Sequence, residues 1–154
     1  MSRTKHRPAR RVLRGVLIAV AVQAAVVATG RLMAQRLDTG DVDDDEIRRT
    51  ALMNGVDLGL TSQSFRHARV DLGMGGMNID LTGAQLDPDG ATIDVHGVMG
   101  GLNVQVPADW RVTAEADSPT TGLNLPVTDR SSDDAPHLHL VSHARMSGVN
   151  VQVV

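Results

Sequence analysis

Five times between residues 51 and 154, a glycine opens a five-residue tract in which apolar and polar side chains alternate. The glycines are Gly55, Gly76, Gly101, Gly122 and Gly148, spaced by 21 to 26 residues. The tracts read Val56-Asp57-Leu58-Gly59-Leu60, Met77-Asn78-Ile79-Asp80-Leu81, Leu102-Asn103-Val104-Gln105-Val106, Leu123-Asn124-Leu125-Pro126-Val127 and Val149-Asn150-Val151-Gln152-Val153. Methionine stands two residues before four of the glycines, at Met53, Met74, Met99 and Met146, with Thr120 in the remaining place. This alternation is the period of a half-buried strand, so the first, third and fifth side chains face inward. A repeat at this interval is one turn of a stacked array, not a domain by itself.

A weaker strand precedes most of the glycines, over residues 68–72, 91–95, 111–116 and 137–141. Its inward positions are Val70 and Leu72, Ile93 and Val95, Val112 and Ala114, and Leu138 and Leu140. Between the methionine and the residue after the glycine the apolar parity shifts by one. That shift predicts a corner at the glycine, whose backbone tolerates a sharp bend. Aromatic residues are nearly absent, with one Phe, one Trp and no Tyr, so the core is aliphatic. A few inward aliphatics per turn do not offset the backbone entropy of ordering a whole repeat, so the turns must share their apolar faces. The expected fold class is all-β: a short parallel β-solenoid, single-stranded and β-helix-like, of about five turns. Stacking in chain order makes Ile79, Val104 and Leu125 neighbours. A β-sandwich is the alternative, since alternating strands joined by turns suit it too. Stacking also aligns Asp57, Asn78, Asn103, Asn124 and Asn150 in one polar column, where amides can hydrogen-bond from turn to turn. A polar stripe for a ligand is the functional counterpart of that column.

The N-terminal third has a different character. Residues 1–14 carry Arg3, Lys5, Arg7, Arg10, Arg11 and Arg14 and no acid, and residues 15–30 are uncharged. As a helix that run spans roughly 24 Å, against a hydrocarbon layer of about 30 Å. Snorkelling arginines and the flanking Val12, Leu13, Leu32 and Met33 extend it. The expected organisation is a basic cytoplasmic leader (1–14), a single transmembrane helix (15–33), an acidic juxtamembrane linker (34–50) and the β-repeat domain (51–154). The basic flank places the N-terminus in the cytoplasm and the domain outside the cell membrane. A cleaved signal peptide is the alternative, with small residues around Ala28 and Gly30. The acidic stretch is no calcium loop: counted from Asp41, positions six and twelve are Glu46 and Leu52, where Gly and Glu are required. A solvated spacer accounts for it.

The search for chemistry yields little. Cysteine is absent, which excludes disulfides and thiol catalysis. A net charge of −3 gives no footprint for nucleic acid. His137, His139 and His143 share one strand face, but no carboxylate in the same tract completes a metal set, so a solvated face is expected. His67 and His96 are expected to decorate turns. Asp71 and Asp94 occupy comparable points of successive repeats and are the pair to consider for glycan hydrolysis, with Asp57 and Asp80 less comparable. Ser62, Ser64, Ser118, Ser131 and Ser132 sit in turn-like contexts without a base. No catalytic residue, cofactor or metal is expected. Trp110 is either a hydrophobic plug at a corner after Pro107 or an interaction anchor.

Two Gly-Gly turns and a V-P-A-D-W-R-V tract occur in order: Met74-Gly75-Gly76-Met77-Asn78-Ile79-Asp80-Leu81, then Val98-Met99-Gly100-Gly101-Leu102 through Val106-Pro107-Ala108-Asp109-Trp110-Arg111-Val112. Over residues 51–154 the chain resembles the LiaF-like C-terminal domain family, the cell-wall-active antibiotics response domain. Met74 and Met99 stand where that family typically has an aromatic residue. The resemblance implies a role in sensing or regulating cell-envelope stress through contact with the membrane or a membrane-bound signalling protein. The leading expectation is therefore a membrane-anchored, non-catalytic interaction module. Two alternatives are a structural homo-oligomer, because the chain stops at Val154 and would leave the last turn uncapped, and a glycan-active enzyme using Asp71 and Asp94.

Overall fold

A computed structural model describes residues 8–126 and 135–154. Helix α1 (Pro8–Leu37) precedes eight strands: β1 (Glu46–Leu52), β2 (Gly55–Gly59), β3 (His67–Gly73), β4 (Gly76–Asp80), β5 (Ala91–Val106), β6 (Arg111–Ala116), β7 (Gly122–Asn124) and β8 (His137–Val153). All pairings between these strands are parallel, and they join into one sheet system. Equivalent positions of the repeat stack in register, Gly55 on Gly76, Gly76 on Gly101 and Gly101 on Gly148. The inward aliphatics form a single core that includes Val70, Ile79, Ile93, Val104, Leu140 and Val151.

The membrane-spanning helix expected at residues 15–33 is not supported. α1 is 30 residues long, yet among the described residues no helix is long and apolar enough to cross a membrane. The limit is the apolar run, not the helix: arginines at 10, 11, 14, 31 and 36 confine the uncharged portion to residues 15–30.

The turns do not stack in chain order either. β5 pairs with β8, with Ile93 beside Leu140 and Val104 beside Val151. β6 and β7 then pair with the opposite edge of β8, through Val112 beside Leu138 and Leu123 beside Val149. The last segment of the chain is therefore inserted between the third and fourth. Ile79 and Val104 are neighbours as expected, but Leu125, just after β7, lies on the far side of β8 from Val104. Strand length accounts for the order. β8 runs unbroken for 17 residues and buries Leu138, Leu140, Ala144, Val149 and Val151, so it gains most from neighbours on both sides. β6 and β7, with 6 and 3 residues, are short enough to sit at an edge. The edge that the chain end was expected to leave bare is thus covered by an earlier segment.

β1 was not anticipated, because consecutive Arg48 and Arg49 break the alternation. It is held by its ends. Ile47 and Ala51 are buried, the Arg49 guanidinium donates to the Thr39 and Gly40 carbonyls at 2.9 and 2.7 Å, and the Asp38 carboxylate accepts from the Thr50 N–H at 2.7 Å. Asp45 accepts from the Ser62 hydroxyl at 2.9 Å. The acidic stretch thus contributes structure to the sheet.

The corner falls on methionine, not glycine. Met53, Met74, Met99 and Met146 have φ of 55°, 54°, 58° and 50°. The tract-opening glycines have no left-handed φ, and a Cβ at Gly55, Gly101, Gly122 or Gly148 would meet nothing within 4 Å. The tight positions are the glycines before them: a Cβ on Gly75 would lie 2.5 Å from the Asn54 carbonyl oxygen, and one on Gly100 would lie 2.8 Å from that of Gly75. One left-handed residue turns the chain and shifts the strand parity, and a missing Cβ beside it lets successive corners nest.

Candidate functional site

Three surfaces of the stack carry the residues singled out from the sequence. The first is the polar column. Asn124 Nδ2 donates to Asn150 Oδ1 (2.6 Å), Asn150 Nδ2 to Asn103 Oδ1 (3.3 Å), Asn103 Nδ2 to Asn78 Oδ1 (2.9 Å) and Asn78 Nδ2 to Asp57 Oδ1 (2.5 Å). Every amide points the same way, and the run ends on a carboxylate, which only accepts. Asn150 stands between Asn103 and Asn124, as the strand order requires. The amides are committed to one another, so the column reads as structure. Beside it Asp80, Gln105 and Gln152 line a groove of about 590 Å3. The hydroxyl and backbone N–H of Thr82 hold the Asp80 carboxyl below its usual range.

The second surface is the outer face of β3, β5, β8 and β6. Asp71 and Asp94 are not opposite one another: Asp71 faces His96 and Asp94 faces Arg69. Each has its own partner, Arg48 at 2.8 Å for Asp71 and His67 at 2.9 Å for Asp94. The offset and the pairing leave neither placed as the acid and base of a hydrolase. His67 and His96 lie on strands β3 and β5, not in turns. His96 stacks on His143 with ring centroids 4.8 Å apart, and His143 Nδ1 bonds the Asp117 carboxylate. The Thr113 hydroxyl bridges His137 and His139 at 2.7 and 2.9 Å. Among the described residues no group of three His, Cys, Asp or Glu is arranged to hold a metal ion. The Ser62 and Ser64 hydroxyls bond Asp45 and Asp87, and Ser118 bonds Thr120. Val127, Ser131 and Ser132 lie outside the described residues, as do Arg3, Lys5 and Arg7. Trp110 is 4% exposed and caps the core, so it offers a partner no surface.

This face makes stability depend on pH. Burial, then the charges of Arg69 and His143, push the His96 imidazole below its ordinary 6.5. Burial and Arg111 do the same to His137. As pH falls through about 6.5, the unfolded chain takes up protons that the folded chain still resists, so stability falls with acidification. The melting temperature is expected to drop between about pH 7.5 and 5.5, and His96→Gln to flatten that dependence. An equally steep profile in the variant would remove His96 as the cause.

The third surface was not foreseen, although its residues were marked in the repeat. At the corner, Met53, Met74, Met99 and Met146 are 49%, 61%, 43% and 60% exposed and form a line across four stacked turns. The left-handed conformation costs a non-glycine residue about 1 kcal/mol or more, and Asn or Gly bears it better. Half-exposed side chains offset only part of that cost by burial. Across a cleft of about 720 Å3, α1 sets Val22, Val26 and Met33 opposite Met53, Met74 and Met99. The Thr29 hydroxyl on that wall is already bonded to the Ala25 carbonyl at 2.8 Å. Both walls are apolar.

Residues 56–144 match the family described as cell wall-active antibiotics response LiaF, C-terminal. The chain belongs to the LiaF-like C-terminal domain family. The matched stretch of this LiaF-like chain runs from β2 into β8 and includes Asp57, Asn78, Asn103 and Asn124 of the polar column, Trp110 and two of the four corner methionines, Met74 and Met99. No curated protein and no solved structure matches the chain. Membership ties the LiaF-like fold to the response to cell-wall-active antibiotics.

Proposed function

We propose that this LiaF-like chain is a non-catalytic interaction module which modulates the cell-envelope response to wall-active antibiotics by contact with a membrane-bound signalling protein. The observation that carries the proposal is the family match over most of the β domain, supported by a line of exposed methionines along one corner of the stack. The ion pairs of Asp71 and Asp94 support a structural role for the two carboxylates that resembled catalytic ones. Localisation at the cell membrane is part of the proposal and follows from the family's association with the wall response.

The test is genetic and biochemical. Deleting the gene should change induction of the antibiotic response by at least severalfold, and crosslinking in cells should recover a signalling or envelope protein with the chain. Unchanged induction together with an empty crosslink would end the proposal.

A further inference from the structure

We infer that Asn54 is a site of spontaneous modification: its side-chain amide is lost to attack by the Gly55 backbone nitrogen, and the acid that results loosens the first turn of the stack. This modification does not depend on the signalling role.

The chain has five asparagines, and the fold treats one of them differently. The Nδ2 groups of Asn78, Asn103, Asn124 and Asn150 all donate within the polar column, and each of these residues precedes Ile, Val or Leu. Asn54 lies outside the column and precedes glycine, and its Oδ1 is buried with no partner among the described residues. The ladder does not tether its amide. Nor does a Cβ on the next residue hold the backbone nitrogen away from the amide carbon.

That nitrogen is free as well. Among the described residues β2 pairs only with β4. The Gly76 N–H donates to the Asn54 carbonyl at 3.1 Å, and the Leu60 N–H to the Asp80 carbonyl at 2.9 Å. Backbone groups of successive residues in a parallel strand point to opposite sides, so those of Val56 and Leu58 turn toward β4 and those of Gly55, Asp57 and Gly59 toward the open edge. In the next two turns the equivalent glycine N–H is occupied, that of Gly76 by Asn54 and that of Gly101 by Gly75 at 3.2 Å. Gly55 opens the first turn, has no earlier turn to accept its N–H, and is exposed to water.

The chemistry needs only water. The Gly55 N–H gives its proton to solvent and the nitrogen bonds to the side-chain amide carbon of Asn54. The bond from that carbon to Nδ2 breaks, and ammonia leaves with a proton from solvent, so a cyclic imide remains. Water then opens the imide. Addition at the side-chain carbon restores the main chain and leaves an aspartate. Addition at the main-chain carbon leaves an isoaspartate: the chain now runs through the side chain, longer by a methylene, and the former main-chain carbonyl becomes a free carboxylate. That carbonyl is the acceptor for the Gly76 N–H, and it lies 2.5 Å from where a Cβ on Gly75 would stand. The corner has no slack for a longer chain, so β2 loosens from β4.

The test is peptide mapping by mass spectrometry on the purified full chain, kept folded at neutral pH and physiological temperature. Asn54 should gain the mass of an amide-to-acid change, mostly as isoaspartate, while Asn78, Asn103, Asn124 and Asn150 keep their amides. Gly55→Ala, whose Cβ meets open space, should slow the conversion at least severalfold and leave the melting temperature unchanged. Amide exchange along the β2–β4 ladder should be severalfold faster in the converted chain. In urea, where the corner is gone, Asn54 should convert at no more than a few times its folded rate. Conversion of Asn54 in urea but not in the folded chain would show that the fold protects it. That result, an undiminished rate in Gly55→Ala, or unaltered exchange after conversion would overturn the inference.

Discussion

Leu140→Ala is expected to lower the unfolding free energy by about 2–5 kcal/mol, and Leu123→Ala by less than half as much. Leu140 is 1% exposed on β8, packed between Ile93 of β5 and Ala114 of β6. Truncating it leaves a cavity bounded by strands that are themselves held by ladders on both sides, so the site has little freedom to collapse. Leu123 lies on β7, whose only strand partner among the described residues is β8, and it is partly exposed. There the lost surface is smaller and solvent reaches the gap. The comparison separates two arrangements of the same repeats. If the turns followed chain order, β7 would be an interior layer and β8 the outer one, and Leu123 would be the costlier truncation. Urea midpoints of the two variants at matched slope decide the matter.

Gly97→Ala is expected to cost at least about 3 kcal/mol, whereas Gly101→Ala, four residues on, should stay within about 0.5 kcal/mol of the parent. Gly97 has a φ of 152°, open in practice to glycine alone. A Cβ there would run into the Leu72 carbonyl oxygen and lie 2.8 Å from its carbonyl carbon. Both are backbone atoms of the stacked strand, with Leu72 directly beside Gly97 in the ladder, so the clash cannot be relieved by a rotamer change. Gly101 leads its tract and has open space where a Cβ would go. Thermal unfolding of the two alanine variants measures the contrast. Equal losses would show that the tract-opening glycines are needed for a reason other than space.

These two expectations mark where the sequence was informative and where it misled. The alternation placed Met77, Ile79 and Leu81 inward, and each is at most 1% exposed. Alignment of the tracts placed Asp57 and the four asparagines in one column, and the hydrogen bonds run along it. The same alignment credited the tract-opening glycine with the bend, because glycine is the usual residue for one. The methionine two places earlier was visible in four tracts, but an apolar residue in a strand-like pattern signals burial, not a left-handed corner. Trp110 was legible as a plug. The histidines were misplaced because His67 and His96 were judged singly, whereas their partners, Asp94 and His143, arrive from other strands 27 and 47 residues away along the chain (94 − 67 and 143 − 96). A helix was legible over residues 15–33, but α1 runs from Pro8 to Leu37, beyond both arginine flanks; its failure as a span follows from how closely the arginines bracket the apolar run.

The sequence by itself determined which residue of one turn lies over which residue of another, because a period-two pattern repeated at a fixed offset leaves one register that keeps every aliphatic inside. It did not determine the order of the turns. Equivalent tracts can pair in any sequence at similar local energy, and only the packed structure, by placing the longest apolar strand where it has neighbours on both sides, made the choice.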